Sequence, residues 1–208
     1  MISKYCSLYI VRHGETEWNV KRLLQGQTDI PLNKTGEIQA EKLAKKLRGA
    51  EFAMIFSSDL LRAKRTAEIV ALEKKIAVRT TKALRERKFG RFEGKSWEAE
   101  EFQSLFDKFL KLSAKQRFKT TAYEGSESDE ELMSRFIPFI RETSVAYPGK
   151  NVLVVTHGGV MRAFLNHLAY DKGKEIQPGS IENAAYIRLL CDGVDFFVKE
   201  TAGIAYHL

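Results

Sequence analysis

Only two cysteines, Cys6 and Cys191, occur in the 208 residues of this chain, far apart in sequence and outside any CxxC pair. A disulfide framework and a thiolate metal cluster are therefore not expected, and reduced thiols are the default reading. Histidine is scarce as well, with four residues in all and no HxxxH pair among them. No apolar run approaches the roughly 18 residues of a membrane-crossing helix, and Met1-Ile2-Ser3-Lys4-Tyr5-Cys6 lacks the apolar stretch of a signal peptide. No membrane partner is indicated, and a cytoplasmic location is expected. Internal repeats, linkers and low-complexity tracts are missing too. One domain over residues 1–208 is expected, large enough to bury about two-thirds of its unfolded surface.

What is present begins with charge. Lys and Arg number 34 against 27 Asp and Glu, a formal charge of +7 that attracts anionic partners. Nucleic-acid binding would call for a clustered basic stripe interleaved with aromatics, whereas here bases are scattered among acids, as in Glu41-Lys42 and Glu73-Lys74-Lys75. No nucleic-acid partner is expected, and a small phosphorylated substrate suits the charge equally well. Lys45-Lys46 and Lys74-Lys75 read as solvated faces. Oligomeric state is left open.

Leu8-Tyr9-Ile10-Val11 is a short apolar run cut off by Arg12-His13-Gly14, which predicts a buried strand ending in a functional turn. Behind a polar loop through Gln25-Gly26-Gln27, Ala40, Leu43, Ala44 and Leu47 recur at helical spacing, with Asn33 or Thr35 as N-cap. Phe52-Ala53-Met54-Ile55-Phe56 predicts the next strand. Ser57-Ser58-Asp59 is expected to cap a helix that buries Ala63, Ala67, Val70 and Ala71 and carries Arg62 in its first turns. Asn151-Val152-Leu153-Val154-Val155 is the clearest buried strand, and Thr156-His157-Gly158-Gly159 turns it into a helix beginning near Val160. Two further strands, near Ala184 to Leu190 and Val194 to Lys199, flank a turn at Asp192-Gly193 as a hairpin.

Alternating strands and helices predict an α/β fold, a mostly parallel central sheet with helices on both faces, which binds ligands outside the carboxyl ends of its strands. His13, Arg62 and His157 all fall at that edge. Residues 95–126, helical from about Ser96 to Arg117 without alternating strands, are expected to form an insertion arching over it.

A histidine between an arginine and a glycine at a strand end suits attack on a phosphate dianion. Arg12 supplies a bidentate fork and Gly14 permits close backbone approach. The attacking nitrogen must be unprotonated, so the other ring nitrogen should donate to a backbone carbonyl. A hydrogen-bonded structural histidine is the bland alternative. Against it stands His157, at the end of another strand where the N–H groups of a helix start hold phosphate oxygens. One histidine can attack while the other, with Arg12 and Arg62, stabilises charge on the transferring oxygens. Metal ligation is the rival use of two histidines, but no carboxylate set accompanies them and two arginines would repel a divalent cation. No metal or cofactor is expected. His167 reads as a packing or capping residue and His207 as exposed, although the tail could touch the site. Trp18 and Trp97 read as packing or lid anchors. Taken alone, Glu86 between Arg85 and Arg87 reads as a surface ion pair.

Leu8-Tyr9-Ile10-Val11-Arg12-His13-Gly14-Glu15-Thr16 with Glu17-Trp18-Asn19 resembles the opening motif of the histidine phosphatase, or phosphoglycerate mutase-like, superfamily. Gln25-Gly26-Gln27-Thr28-Asp29-Ile30-Pro31-Leu32, Ser57-Ser58-Asp59-Leu60-Leu61-Arg62-Ala63, Leu84-Arg85-Glu86-Arg87-Lys88-Phe89-Gly90 with Glu93-Gly94, and Val155-Thr156-His157-Gly158-Gly159 are similar to its later blocks in order. The resemblance implies that His13 is the phosphorylated nucleophile, that Arg12, Arg62 and His157 surround the phosphate, and that Asn19 and the Gly158 N–H complete the pocket. Gln25 and Gly26 are implied substrate-binding positions, and Glu86 is the implied proton donor. The function so implied is metal-independent hydrolysis of a phosphomonoester, through a phosphohistidine, on a small phosphorylated metabolite. A phosphoglycerate mutase and a non-catalytic phosphate-binding module are the alternatives. Mutases of this kind usually carry adjacent arginines in a longer insertion, whereas residues 95–126 hold Lys108, Lys111, Lys115, Arg117 and Lys119 but no such pair. Gly125-Ser126-Glu127-Ser128 ahead of a helix with Arg135 is more similar to the phosphatase branch, and every expected catalytic position is filled.

Overall fold

In the computed structural model, which describes residues 4–170 and 175–205, the first apolar run lies in strand β1 (Cys6–Arg12). Successive side chains of a strand face opposite ways. Leu8 and Ile10 accordingly join one apolar cluster while Tyr9 and Val11 join another. A strand covered on both sides belongs at the centre of a sheet. It pairs in parallel with β4 (Asn151–Thr156) and antiparallel with β5 (Ile181–Cys191). With β2 (Phe52–Ser58), β3 (Val78–Thr81) and β6 (Phe196–Ile204), the six-stranded sheet has the order β3-β2-β4-β1-β5-β6. Strands β3, β2, β4 and β1 are parallel, and the β5–β6 hairpin extends the sheet antiparallel. The mostly parallel α/β fold read from the sequence is observed. Strand β3 is an addition, a short polar edge segment with no apolar alternation to announce it.

One face of the sheet is covered by α2 (Lys34–Lys46) and α3 (Leu61–Lys74), whose small and apolar residues Ala40, Leu43, Ala44, Ala63, Ala67 and Val70 pack on Tyr9, Ile55 and Leu153. The other face carries α6 (Asp129–Ala146) and α7 (Gly158–His167), which bury Leu132, Phe136, Ile140, Val160 and Phe164 against Leu8, Val152 and Val154. Asn33 caps α2, its side-chain oxygen accepting the Gly36 N–H at 2.8 Å. The expected cap of α3 is not formed. Its N-cap is Leu60, and the Leu61 N–H donates instead to Asp29 Oδ1 at 2.7 Å. Asp59 is taken by Arg85, whose guanidinium grips both carboxylate oxygens at 2.7 Å, a stronger match than a single backbone N–H. Helix α7 starts at Gly158, two residues ahead of the expected Val160.

Helix α1 (Glu17–Val20) is a single turn, the insertion carries α4 (Glu100–Leu110) and α5 (Ala114–Lys119), and α4 contributes to a third apolar cluster. Leu24, Phe92, Phe102 and Tyr123 form its buried part, with Trp97 and Phe106 packed against it. Trp97 is thus a packing residue, as expected. The lysine pairs are less free than expected. Lys74 donates to the Arg48 and Ala50 carbonyls, fastening the chain beyond α2, and Lys46 lies over the Tyr186 ring. Cys6 and Cys191, remote in sequence, are direct cross-strand partners and both are buried free thiols. Burial pushes the Cys6 thiol up to about 12. Among the described residues no helix is long and apolar enough to cross a membrane. His207 and the tail beyond residue 205 lie outside the described residues.

Candidate active site

The carboxyl ends of the two central strands lie side by side, and the His13 N–H donates to the Thr156 carbonyl at 3.0 Å. His13 and His157, the residues that follow, thereby face each other with ring centroids 5.1 Å apart. His13 Nδ1 is 2.6 Å from the Gly14 carbonyl oxygen. A carbonyl has no proton to give, so Nδ1 must carry the hydrogen and the lone pair sits on Nε2. Burial, reinforced by the cations Arg62 and Arg12, holds the His13 imidazole well below its ordinary pKa of 6.5. At neutral pH this ring is uncharged, with one nitrogen whose lone pair is available.

Around it the polar groups are buried and short of partners. Arg62 is fully buried in the first turn of α3, giving Nη1 to the Thr28 carbonyl at 2.9 Å and Nη2 to the Gly26 carbonyl at 2.7 Å. Arg12 gives Nη1 to the Ile181 carbonyl. Among the described residues the Nε atoms of both arginines, both ring nitrogens of His157 and Gln25 Oε1 have no hydrogen-bond partner. Burial lowers the pKa of both guanidiniums, Arg62 to about 10, which leaves it cationic at neutral pH. His157 is held well below 6.5 by burial and then by Arg62. Buried cations and donors left unpaired are costly, and an anion seated among them would remove most of that cost.

Glu86 is nine-tenths buried, and the surface ion pair suggested by its neighbours does not form. Its Oε1 accepts the Arg87 N–H at 2.7 Å and its Oε2 the Gly159 N–H at 2.9 Å. Arg85 and Arg87 turn away to Asp59 and Asp129. The Glu86 backbone is fixed in turn by Arg135, which donates to the Glu86 and Ala83 carbonyls at 3.1 and 2.9 Å while both oxygens of Glu127 hold its guanidinium. Gly159 is required here because a Cβ at that position would collide with Glu86 Oε1. Glu15 and Glu93, the other acids of the motif blocks, are spent on loop bonds to Asn33 and Thr28.

The remaining predicted residues gather at the same place with two changes of role. Asn19 Oδ1 accepts from the Thr16 N–H and hydroxyl, so only its Nδ2 amide is available to an anion. Gly14 makes room for a helix and not for a ligand: a Cβ there would fall on the Gly36 carbonyl of α2. Gly158 opens α7, where first-turn N–H groups lack helical partners, and Gln25 and Gly26 line the same cavity. The start of β5 is a contributor the sequence did not announce. Asn183 Nδ2 and the Ala184 N–H, the latter residue at φ +58°, both donate to the His13 carbonyl at 3.2 Å. That contact depends on antiparallel pairing across 170 residues, for which no local signal exists.

Arg12, His13, Arg62, Glu86 and Gly158 line a cavity of about 780 Å³. Its lining also includes the aromatic residues Trp18, Trp97, Phe106, Phe109 and Phe118. His167 stacks on Phe118 at 5.9 Å, which agrees with a packing role.

Comparison with known proteins points the same way. A family model described as the histidine phosphatase superfamily, branch 1, matches residues 8–202. The chain is 34% identical over 175 residues to the uncharacterized phosphatase PhoE of Bacillus subtilis, covering 84% of this chain and 83% of that one. It is 35% identical over 210 residues to the probable phosphoglycerate mutase GpmB of Salmonella choleraesuis, covering 97% and 94%. The solved structure of Bacillus stearothermophilus YhfR superposes with a TM-score of 0.82 at 30% identity, covering 97% of this chain and 98% of that one.

Proposed function

The chain belongs to the histidine phosphatase superfamily, and we propose that it is a metal-independent phosphomonoesterase acting through a phosphohistidine on a small phosphorylated metabolite. The observation that carries this reading is the tautomer of His13: Nδ1 is committed to the Gly14 carbonyl, which leaves the lone pair on Nε2, near Arg12 and Arg62, whose buried Nε atoms have no partner among the described residues. Nε2 attacks phosphorus as the ester P–O bond breaks. Arg12, Arg62, His157 and the Gly158 N–H take up charge on the non-bridging oxygens. Glu86, in its protonated form, gives its proton to the leaving oxygen. In the second step water attacks the phosphohistidine, Glu86 takes the water proton, and the P–N bond breaks to release phosphate.

Relatives bear both phosphatase and mutase names. Hydrolysis is favoured here by the insertion, whose Arg117 is bound to Glu175 and to the Leu110 carbonyl and is not paired with a second arginine. The test uses one alkyl and one activated aryl phosphate, each with and without chelator. Wild type should release phosphate from both at rates the chelator leaves unchanged. Glu86→Gln should slow the alkyl ester by roughly 10²–10⁴, whereas the aryl ester should give a burst of phenol and an accumulated acid-labile phosphoprotein. His13→Ala should abolish both turnover and labelling. Labelling that persists in His13→Ala, or chelator inhibition reversed by a divalent metal, would overturn the reading.

A further inference from the structure

Six arginines line the cavity, and five are accounted for. Arg12 and Arg62 belong to the phosphate end. Arg22 pairs with Glu98, Arg87 with Asp129, and Arg117 with Glu175. Arg162 is the exception: among the described residues no hydrogen bond or ion pair engages its guanidinium. It lies four residues after Gly158 on the face of α7 that Asn166 continues along the cavity wall, about 6 Å along the helix from the phosphate end. The charges acting on it most strongly are Arg87, Asp129, Glu86 and Glu175. Each of those carboxylates is already committed, Asp129 to Arg87, Glu175 to Arg117, and Glu86 to two backbone N–H groups.

We propose that Arg162 determines specificity by binding a second anionic group, carboxylate or phosphate, carried by the alcohol portion of the phosphomonoester. This rests on the phosphatase reading above, because it takes Glu86 as the donor to the leaving oxygen. Arg162 is within the electrostatic reach of Glu86, and the two side chains line the same cavity. Burial and the neighbouring Arg87 disfavour its charged form, a penalty that an anion would lift. The planar fork of a guanidinium matches a carboxylate or phosphate with two parallel hydrogen bonds. The same cavity is lined by Phe106, Phe109 and Phe118 together with Tyr123, whose buried hydroxyl has no partner among the described residues. The substrate class is therefore a phosphomonoester with a flat or apolar body and a second negative charge about one helical turn from the reacting phosphorus.

The test compares three aryl phosphates whose phenols are of similar acidity: meta-carboxyphenyl phosphate, its methyl ester, and meta-phenylene bisphosphate corrected for its two equivalent esters. Wild type should favour an anionic arm over the methyl ester in kcat/KM by roughly tenfold to a hundredfold, as expected of a charge-assisted bidentate contact. The faster arm identifies the anion as carboxylate or phosphate. Arg162→Gln should bring the anion-to-ester ratio close to one, and Arg162→Lys should retain part of it. Equal kcat/KM for all three substrates in wild type, or a preference that survives Arg162→Gln, would overturn the inference while leaving the phosphatase reading intact. Failure to hydrolyse any of the three would instead overturn the phosphatase reading, and this inference with it.

Discussion

At the scale of single residues, the site is defined by which atoms have partners and which do not. His13 Nδ1 is committed to the Gly14 carbonyl, so a single carbonyl leaves Nε2 as the nitrogen with an available lone pair. Gly159 has an equally local task, since it lets the Glu86 carboxylate rest on the start of α7. Gly159→Ala should displace that carboxylate without harming the fold, because alanine is the better helix former by roughly 0.5–1 kcal/mol and a glutamate tip moves easily. Turnover of an alkyl phosphate should fall by about 10–10³, within the contribution of a general acid, while the melting temperature stays level or rises. Parallel losses of stability and activity would mean that Gly159 is needed for packing alone.

Among elements, the contact that matters is between α6 and the loop carrying Glu86. Arg135 bridges them, held by Glu127 and holding the Glu86 carbonyl. In the proposed mechanism it is a positioning residue, acting through Glu86. Arg135→Gln should therefore reproduce the leaving-group signature of Glu86 substitution, with alkyl phosphates slowed several-fold more than activated aryl phosphates. Arg135→Lys should restore part of the difference. If Arg135→Gln slows both substrate types equally, α6 supports stability and not the position of the acid. Asp59, which the sequence suggested as a helix cap, has a related task. Clamped to Arg85, it ties the start of α3 to the residue before Glu86.

For the whole molecule, the buried histidines connect function with stability. His13 and His157 are kept neutral in the folded protein, by burial first and by Arg62 next. In the unfolded chain each takes up a proton near pH 6.5. Below that pH the unfolded state binds more protons than the folded one, so stability falls as pH falls, by up to about 1.4 kcal/mol per pH unit for each histidine. Urea unfolding between pH 7.5 and 5.5 should show this decline, and His157→Gln should make it shallower. A pH-independent unfolding free energy over that range would mean that the imidazoles are protonated in the folded state too.

Much of this was legible in the chain itself. The alternation through Leu8-Tyr9-Ile10-Val11, the helical spacing of Ala40, Leu43 and Ala44, and the Gly-rich turn after Thr156 report local geometry, and local geometry decides which residues end strands and which begin helices. The sequence by itself therefore determined the α/β fold class and the set of residues at the strand edge. Tertiary structure decided what those residues touch. Pairing of β1 with β4 brings His13 to His157, antiparallel pairing brings Asn183 to the His13 carbonyl, and α6 brings Arg135 to Glu86. Likewise only the folded chain separates Arg162, without a partner among the described residues, from Arg87 and Arg117, which have theirs. The physical reason is that a side chain's partners are set by contacts across long stretches of chain, while its backbone conformation is set largely by its neighbours in sequence.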